Sequence, residues 1–496
     1  MSQGRKHDQP ALFVTTTNIH WHIPRRHFYE QLGGLLDEDL AIWLRELTAP
    51  LYAAQLGRPS LDPFVFMKAM LVAFFENITD DVELEFRLAD SLVLRKFLGY
   101  SLEERTPDES TLRKTRQRWP EEVFELFFER VLARCGERGL VSGRALGLDT
   151  TLIDANASMD SLTHRELGCT YEQWLMATRR AEQPSAGLDE AKAADRHRAG
   201  KASNEHWYSP SDAEAKVGKH ADKHTHLSYR VDATVDLESG VIVSAGADYA
   251  DQSDQETCLQ RVDEATAKLA ELGLQPSVIV GDKGHHSGDN LAGLEERGLV
   301  GLISSPRNER GAAGFRRSDF QREPESDRYV CPAGQVLYRV KTDAQGWRTY
   351  RTARGVCAGC AHFGVCTKSK RGRTVSLSPH EARVQANRER VHSEAARPLL
   401  MIRRQYGERP FGYFKRHGGL ARVSGHGLDH AHKKVLLAAT GYNLLLLVKQ
   451  ALRAGAAGGV AAWRRVRWAY RAWLGASLGP VGRRGRPQCR LWLRPA

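Results

Sequence analysis

The stretch Ala145-Leu-Gly-Leu-Asp149-Thr-Thr-Leu-Ile153 decides the fold, because it places a carboxylate inside an apolar run. The run predicts a core strand over residues 145–154, and an aspartate in such a strand is costly unless it is paired or bound to a cation. Two more acids occupy comparable positions, since Asp282 closes a strand-like run and Glu408 opens a segment of helical character. The three are far apart in the chain. We therefore predict one acidic site that only a folded domain can assemble.

The segments after this strand predict a mixed α/β domain. Residues 226–236 alternate with period two, and residues 241–247 form the second arm of a β-hairpin. An amphipathic helix over residues 255–272 precedes the strand that ends at Asp282, and residues 299–303 form a fifth strand. This order of elements suits a mixed sheet covered by helices.

Residues 25–140 predict an all-helical N-terminal domain. Apolar residues recur at three-and-four spacing in Phe28–Trp43, Leu61–Phe75 and Asp80–Phe97. A basic helix then follows, which Asp108 or Ser110 would cap. Its polar body carries five residues that can contact DNA: Arg113, Lys114, Arg116, Gln117 and Arg118. This pattern is typical of a recognition helix in a helix-turn-helix unit, and a solvated charged face explains it equally well.

The net charge is +12 and the pI is about 9.3, which suggests an anionic partner such as nucleic acid. Residues 453–496, however, contain ten arginines and no acid, so residues 1–452 carry about +2. The charge of the tail therefore says little about the core. The tail also contains tryptophans that suit DNA contact, whereas its many Gly and Ala residues favour disorder.

The chain has no predicted membrane segment. Its first residues lack the apolar run of a signal peptide, and the apolar run at residues 435–448 is short and interrupted by polar residues. Eight cysteines in 496 residues do not indicate a disulfide framework. We therefore predict a cytoplasmic protein.

The acids suit metal-dependent phosphoryl transfer. Side chains on neighbouring strands, about 4.8 Å apart, can converge at one sheet edge. Three carboxylates can hold two Mg²⁺ ions, which prefer oxygen ligands and leave positions open for phosphate. A single Asp in a strand is more often a hydrogen-bonded edge or turn residue without a catalytic role. The prediction therefore rests on the three acids together. Asp154 is an alternative to Asp149, and its loop-like exit makes it the weaker ligand.

A cysteine-bearing segment over residues 305–390 interrupts the α/β pattern. Four thiols there could hold a structural Zn²⁺ in tetrahedral geometry: Cys331, Cys357, Cys360 and Cys366. His362 is a substitute ligand, and the alternative is a set of buried or free thiols. Any zinc would order the segment rather than take part in catalysis.

These motifs together resemble the DDE transposases of bacterial insertion sequences. Gly147–Ser158 is similar to the strand of the family's first Asp, and Gly281–Ser287 is similar to its second-Asp turn. Arg404-x₃-Glu408-x₆-Lys415 resembles the signature around the catalytic Glu, and Gly441–Leu445 resembles the following helix. Thr106–Leu112 resembles part of the family's N-terminal module. The resemblance spans about residues 20–450.

The resemblance implies an RNase H-like catalytic domain that cuts element ends and joins the 3′-OH to target DNA. Asp149, Asp282 and Glu408 would be the ligands of Mg²⁺ or Mn²⁺, and Arg404 and Lys415 would contact DNA. Terminal inverted repeats and target DNA would be the partners, bound by a homodimer or larger synaptic complex in the cytoplasm, near the nucleoid. Two DNA ends must be paired in such a reaction.

The resemblance also implies a division of the chain into six parts. These are an arm (1–24), a helical DNA-binding domain (25–140), a first catalytic part (144–304), the cysteine-bearing insertion (305–390), a helical catalytic end carrying Glu408 (391–452) and a basic tail (453–496).

Three departures from the family pattern leave other functions open. Met401 stands where the signature has Tyr, and His285 and His286 replace Tyr-Asp. Pro410 disfavours helix at Arg409, so Glu408 is expected at a helix start or a kink. The alternatives are a catalytically silent DNA-binding protein and an RNase H-like nuclease that cuts without joining.

Overall fold

A computed structural model describes residues 27–53, 59–196, 198, 201–220, 224–305, 315, 319–323 and 325–455. The predicted arm at residues 1–24 and almost all of the predicted tail lie outside the described residues. The described chain is a mixed α/β structure: a helical N-terminal region, a six-stranded mixed sheet, a separate five-stranded sheet and three C-terminal helices.

The N-terminal region is helical, as predicted. Its α-helices are α1 (Phe28–Gly33), α2 (Glu38–Thr48), α3 (Pro63–Glu76), α4 (Asp81–Asp90), α5 (Leu92–Leu98), α6 (Glu109–Arg118) and α7 (Glu121–Glu137). Two predicted helices are each divided in two. The backbone N–H of Gly34 closes α1, and Asp37 starts α2 by accepting a hydrogen bond from Leu40 N–H. Ser91 likewise ends α4 in an extended conformation and caps α5.

The six-stranded sheet, called the central sheet below, contains β1 (Ala145–Asp154), β4 (Lys216–Lys219), β5 (Thr225–Asp236), β6 (Ile242–Tyr249), β7 (Val278–Gly281) and β8 (Val300–Ile303). The polar connection from β1 to β4 forms β2 (Thr163–His164), α8 (Tyr171–Glu182), α9 (Leu188–Asp195) and β3 (Trp207–Tyr208). Helix α10 (Asp254–Glu271) joins β6 to β7, and α11 (Gly288–Glu296) joins β7 to β8. The predicted strand, hairpin and helix positions in this region are confirmed to within a few residues.

The strands of the central sheet follow a mixed order. β5 pairs antiparallel with β1 on one side and with β6 and β4 on its other side. β7 pairs parallel with β1, and β8 pairs parallel with β7. The carboxyl ends of β1, β7 and β8 therefore point to one edge of the sheet, where polar residues that follow the strands can meet.

The five-stranded sheet, called the small sheet below, is built from the cysteine-bearing segment. Its order is β13 (Thr374–Leu377), β12 (Arg348–Thr352), β11 (Val336–Thr342), β10 (Arg328–Val330) and β9 (Gln321–Glu323), all antiparallel. Its core has six buried members: Phe320, Tyr329, Leu337, Tyr350, Val375 and Leu377. The sequence did not predict these strands, because they are short and their apolar residues are interrupted by Arg and Thr.

Three helices complete the described chain: α12 (Glu381–His392), α13 (Arg397–His417) and α14 (Leu428–Gly455). Of the two places expected for Glu408, a helix start or a kink, the helix start is wrong, since α13 continues through Pro410 for another turn and more. Packing of Phe411 and Phe414 in the core maintains the helix although Pro410 donates no backbone hydrogen bond.

Helix α14 is the central element of the main hydrophobic core. Leu428–Arg453 is long and apolar enough to span a membrane, yet 67% of its most apolar window is buried within the protein. A side chain at Gly441 would overlap the ring of Phe74, so glycine permits the close packing of α14 on α3. The same core includes residues of α7, β5 and β6, so the helical region and the central sheet share one core.

Two outer strands of the central sheet, β6 and β8, are closed by buried asparagines. Asn443 of α14 accepts a hydrogen bond from Ile242 N–H (2.9 Å) and donates one to Ile242 C=O (2.8 Å) on β6. Asn387 of α12 makes the same pair of bonds to Ile303 on β8, at 3.1 and 2.7 Å. Each carboxamide thus takes the place that another strand would occupy.

Candidate active site

Asp149 and Asp282 lie side by side at the edge where the parallel strands end. Gly147 of β1 pairs with Val280 of β7, so each aspartate stands two residues beyond this pair on neighbouring strands. Asp154, the alternative to Asp149, lies at the far end of β1 beside His220 and His226. The structure therefore brings together the two aspartates that the strand pattern singles out.

The protein holds Asp149 by one oxygen. Its Oδ1 atom accepts hydrogen bonds from Thr150 N–H (3.1 Å) and from the buried guanidinium of Arg403 (2.9 Å). Its Oδ2 atom faces the backbone of α13, where a Cβ at Gly407 would lie 3.3 Å away. Burial raises the pKa of Asp149, and the nearby charge of Asp282 raises it further, whereas Arg403 lowers it. A cation bound at this edge would offset both the burial of the Asp149 charge and its repulsion by Asp282.

Asp282 is also held by one oxygen. Its Oδ1 atom accepts from Gly284 N–H (2.8 Å) and contacts His285 Nδ1 (2.9 Å). Burial alone would raise its pKa, but the hydrogen bond and charge of His285, with Arg403 and Gly284 N–H, lower the pKa to about 2. Asp282 is therefore ionised at neutral pH, in the form that binds a metal ion.

A third carboxylate joins Asp282. Asp254, at the start of α10, offers an oxygen that lies within 4.8 Å of ligand atoms of Asp282 and His285, a spacing suited to a metal ion. Asp254 accepts a hydrogen bond from Thr150 Oγ1 (2.9 Å). A side chain at Gly284 would overlap Asp254, so glycine is required where the two acids approach.

Helix α13 crosses this edge of the sheet. Arg403 and Gly407 face β1, and Lys415 donates to Thr151 Oγ1 (2.6 Å) and Leu152 C=O (2.7 Å). Glu408 directly follows Gly407 and is exposed, as is Arg404. Gly407 therefore lies against Asp149, whereas Glu408 is not part of the metal-spaced group of described residues, which is Asp254, Asp282 and His285. Lys415, expected to contact DNA, contacts the strand in this structure.

The basic residues of α6 divide into two groups. Asp108 caps the helix through Thr111 N–H (2.7 Å), as one of the two predicted caps. Arg113 and Lys114 are exposed, although Arg113 also pairs with Glu109. Arg116 instead forms a two-point ion pair with Asp81 of α4, and Arg118 lies over the ring of Tyr52. Arg116 and Arg118 therefore hold helices together in this structure.

The four cysteines of the small sheet surround one cavity of about 20 Å³, a volume near that of one small occupant. Backbone N–H groups of Gln335 and Arg373 point at the sulfur atoms of Cys331 and Cys357, at 3.3 and 3.4 Å. Burial raises the pKa of Cys366, Arg373 lowers it, and the three other thiols raise it. This set of donors fits a soft cation such as Zn²⁺.

Three residues of the edge were not singled out as site residues by the sequence. Asp254 looks like an ordinary acid in the first turn of a helix, and His285 looks like a departure from a family pattern. Arg403 could have been found, because it belongs to the buried stripe of α13 with Gly407, Phe411 and Phe414 at helical spacing.

Comparison with protein families agrees with this architecture at both ends of the chain. Residues 17–118 match the family described as Transposase domain (DUF772), which covers the helical region to the end of α6. Residues 330–448 match the family described as Transposase DDE domain, a range that includes Glu408 and the four cysteines of the small sheet. No curated protein matches the chain.

The DDE-domain match supports an enzyme of the transposase class, and that family implies DNA binding. The two matches, in this order, are consistent with a DDE transposase of the insertion-sequence type.

Proposed function

We propose that this transposase cuts the ends of its element and joins the freed 3′-OH to target DNA, with Asp149, Asp282 and Glu408 as the metal ligands. One observation carries the proposal: two aspartates lie on neighbouring strands, each two residues beyond the last parallel pair of β1 and β7, and each is held by Oδ1. The Oδ2 atoms are then the natural ligand atoms for Mg²⁺ or Mn²⁺. When bound, two such ions supply an activated oxygen nucleophile and stabilise the leaving oxygen.

The strand order supports an RNase H-like catalytic core. β6, β5 and β1 form an antiparallel meander, and β7 and β8 continue the sheet parallel to β1. In this proposal residues 144–304 and 391–452 form the core, residues 25–140 the DNA-binding domain and residues 305–390 an insertion. The shared hydrophobic core would fix the DNA-binding helices relative to the acidic edge.

The protein's own groups prepare the acidic edge for phosphate. Gly284 N–H and His285 fix Asp282, and Thr150 N–H and Arg403 fix Asp149, so little reorganisation is needed when DNA arrives. Asp254 adds a further carboxylate on the α10 side. Glu408, exposed on α13 next to Gly407, would supply the third ligand of the proposed set.

We further assign a structural Zn²⁺ to Cys331, Cys357, Cys360 and Cys366. The thiols surround one small cavity, and backbone N–H groups directed at sulfur stabilise thiolates. The ion would order the small sheet, whose own core is small, and would take no part in strand transfer.

DNA contacts are proposed at two places. Arg113, Lys114 and Arg118 of α6, with Arg116 if its ion pair opens, would bind terminal inverted repeats. Arg404, exposed near the acidic edge, would contact the cleaved strand, and Lys415 would do so after leaving its contacts on β1. Pairing two ends requires a homodimer or larger synaptic complex, acting on DNA in the cytoplasm, at the nucleoid.

The test uses supercoiled DNA carrying the genomic sequences on either side of the gene, with Mg²⁺, Mn²⁺ or a chelator. The full chain should nick and join this DNA only with metal, and Asp149→Asn, Asp282→Asn and Glu408→Gln should each lose both steps while still binding DNA. Cutting without joining would identify a nuclease. Binding with neither step would identify a silent DNA-binding protein.

A further inference from the structure

The positive charge of residues 1–452 is concentrated in the small sheet. Residues 321–377 contain eleven Lys and Arg against four Asp and Glu, a net charge of +7. Because residues 1–452 together carry +2, the rest of that range is acidic by 5 charges. An anionic partner would therefore be attracted to this sheet and repelled by the average surface elsewhere.

The pairing register separates the small sheet into two faces. Leu337, Tyr350 and Val375 point to the inner face, where the core and the cysteines lie. Their neighbours point outward: Tyr338 is opposite Arg351, and past a bulge at Val340, Lys341 is opposite Thr349. Arg351 is in turn opposite the exposed Thr374 of β13. The outer face thus carries cations, hydroxyls and an aromatic ring.

The hairpin of β11 and β12 projects beyond this core. From Tyr338 to Thr342 every residue is exposed, so both faces of β11 are open to solvent there. The tip is nevertheless well defined. Asp343 Oδ1 accepts from Gln345 N–H (3.1 Å) and Trp347 N–H (2.8 Å), and Gly346 has the positive φ of +81° that the turn requires.

Large apolar side chains are exposed along this hairpin. Tyr338 is 54%, Val340 53% and Trp347 45% exposed, and they lie next to Arg339, Lys341 and Arg348. Solvated faces of antiparallel sheets are usually polar without large aromatic residues, so an ordinary solvated face explains the cations and leaves the rings unexplained. Cations interleaved with exposed Tyr and Trp are typical of nucleic-acid surfaces.

We infer that the outer face of the small sheet and its hairpin form a second DNA-binding surface, with duplex DNA as its occupant. Lys341 and Arg351 contact phosphates, and Tyr338 and Trp347 contact sugars and base edges. A two-stranded β-ribbon fits the major groove of duplex DNA, and single-stranded DNA has no such groove. The inference deepens the proposed function, because it assigns DNA contacts to the segment between β8 and α12.

The test measures binding of the full chain, without divalent metal, to a fluorescent random-sequence duplex and to its single strand over a range of salt. Lys341→Gln/Arg351→Gln should weaken duplex binding roughly tenfold and lower the slope of log K against log salt by about two. Tyr338→Ala/Trp347→Ala should weaken binding roughly tenfold with an unchanged slope. Arg179→Gln/Lys192→Gln removes two paired cations from α8 and α9 and should change neither.

Unchanged duplex binding and slope in both small-sheet variants, with their circular dichroism intact, would overturn the inference. Loss of single-strand binding alone would also overturn it in favour of a single-strand site. These outcomes are separate from the test of the proposed function, because binding is measured without metal and nicking is scored on the acidic-edge variants.

Discussion

The central sheet and the small sheet use charge in opposite ways. The central sheet is covered by helices on both faces, and its carboxylates, Asp149 and Asp282, are half enclosed and held by donors of the protein. The small sheet covers one face with six apolar side chains and exposes cations and aromatic rings on the other.

The two sheets show how one chain can separate the groups suited to metal ions from the groups suited to phosphate. Carboxylates need a rigid, partly dehydrated setting to hold metal ions, and a large core supplies it. Cations that contact phosphate need only exposure, so a small sheet with little core suffices. Such a sheet then requires another source of stability, which the four cysteines can provide.

The largest expected effect is on the small sheet. Cys357→Ser should remove the zinc and unfold residues 321–377, because structural Zn²⁺ contributes on the order of 10 kcal/mol to folding of small domains. The central sheet should keep its thermal transition. The measurements are zinc content and limited proteolysis of the full chain.

Cys169→Ser, outside the small sheet, is the matched control and should change neither zinc content nor proteolysis. If the wild-type protein contains no zinc and has the same proteolytic pattern as Cys357→Ser, zinc does not stabilise the small sheet.

The next effect concerns the edges of the central sheet. Asn443→Ala and Asn387→Ala should each lower the free energy of unfolding by about 3 kcal/mol, because each leaves a buried N–H and C=O of an outer strand unpaired. Urea unfolding followed by fluorescence checks this. Asn156→Ala loses one exposed bond to Ser424 C=O and should cost much less. Equal losses of unfolding free energy in all three variants would show that the two buried asparagines stabilise the protein no more than the exposed Asn156 does.

A smaller effect concerns metal affinity at the acidic edge. His285→Ala should weaken the apparent affinity for Mg²⁺ by about 10–100-fold, because the imidazole that holds Asp282 Oδ1 is lost. Metal titration of nicking measures this, and His285→Gln, which keeps a donor, should recover part of it. His286→Ala changes the neighbouring histidine and should have little effect on the apparent affinity for Mg²⁺. Equal losses for the two histidines would contradict the assignment.

The smallest effect is on the pH dependence of stability. Burial and, next, the charge of Arg116 lower the pKa of Lys434, Asp81 raises it, and the result is a pKa of about 8. The folded-state pKa is below the unfolded value of 10.5, so the unfolded chain binds more protons between these values. Stability contributed by this residue should therefore rise as pH increases from about 8 to 10.5. Urea unfolding across that range should show the slope in the native protein and a flatter profile in Lys434→Met.

The central sheet could be predicted from sequence, and the small sheet could not. Strands β1, β5, β6 and β7 carry alternating or continuous apolar residues, a pattern that predicts a β-strand. The same pattern located Asp149 and Asp282. β9 to β13 are only three to seven residues long and mix Arg and Thr with their apolar residues, so no long apolar or alternating run marks them. The roles of Asp254, His285 and Arg403 also depend on tertiary contacts that no local pattern displays.

The asparagine closures have a consequence for synthesis of the chain. Both Asn387 and Asn443 are translated after residue 380, so a ribosome that has completed β1 to β8 has produced a sheet whose outer strands β6 and β8 are still open. Such an intermediate, and any product of premature termination, would be prone to edge-to-edge aggregation. Glu408 lies between these two asparagines on the chain. Glu408, the third ligand in the proposed metal site, would therefore be added only as these two strands become protected from aggregation.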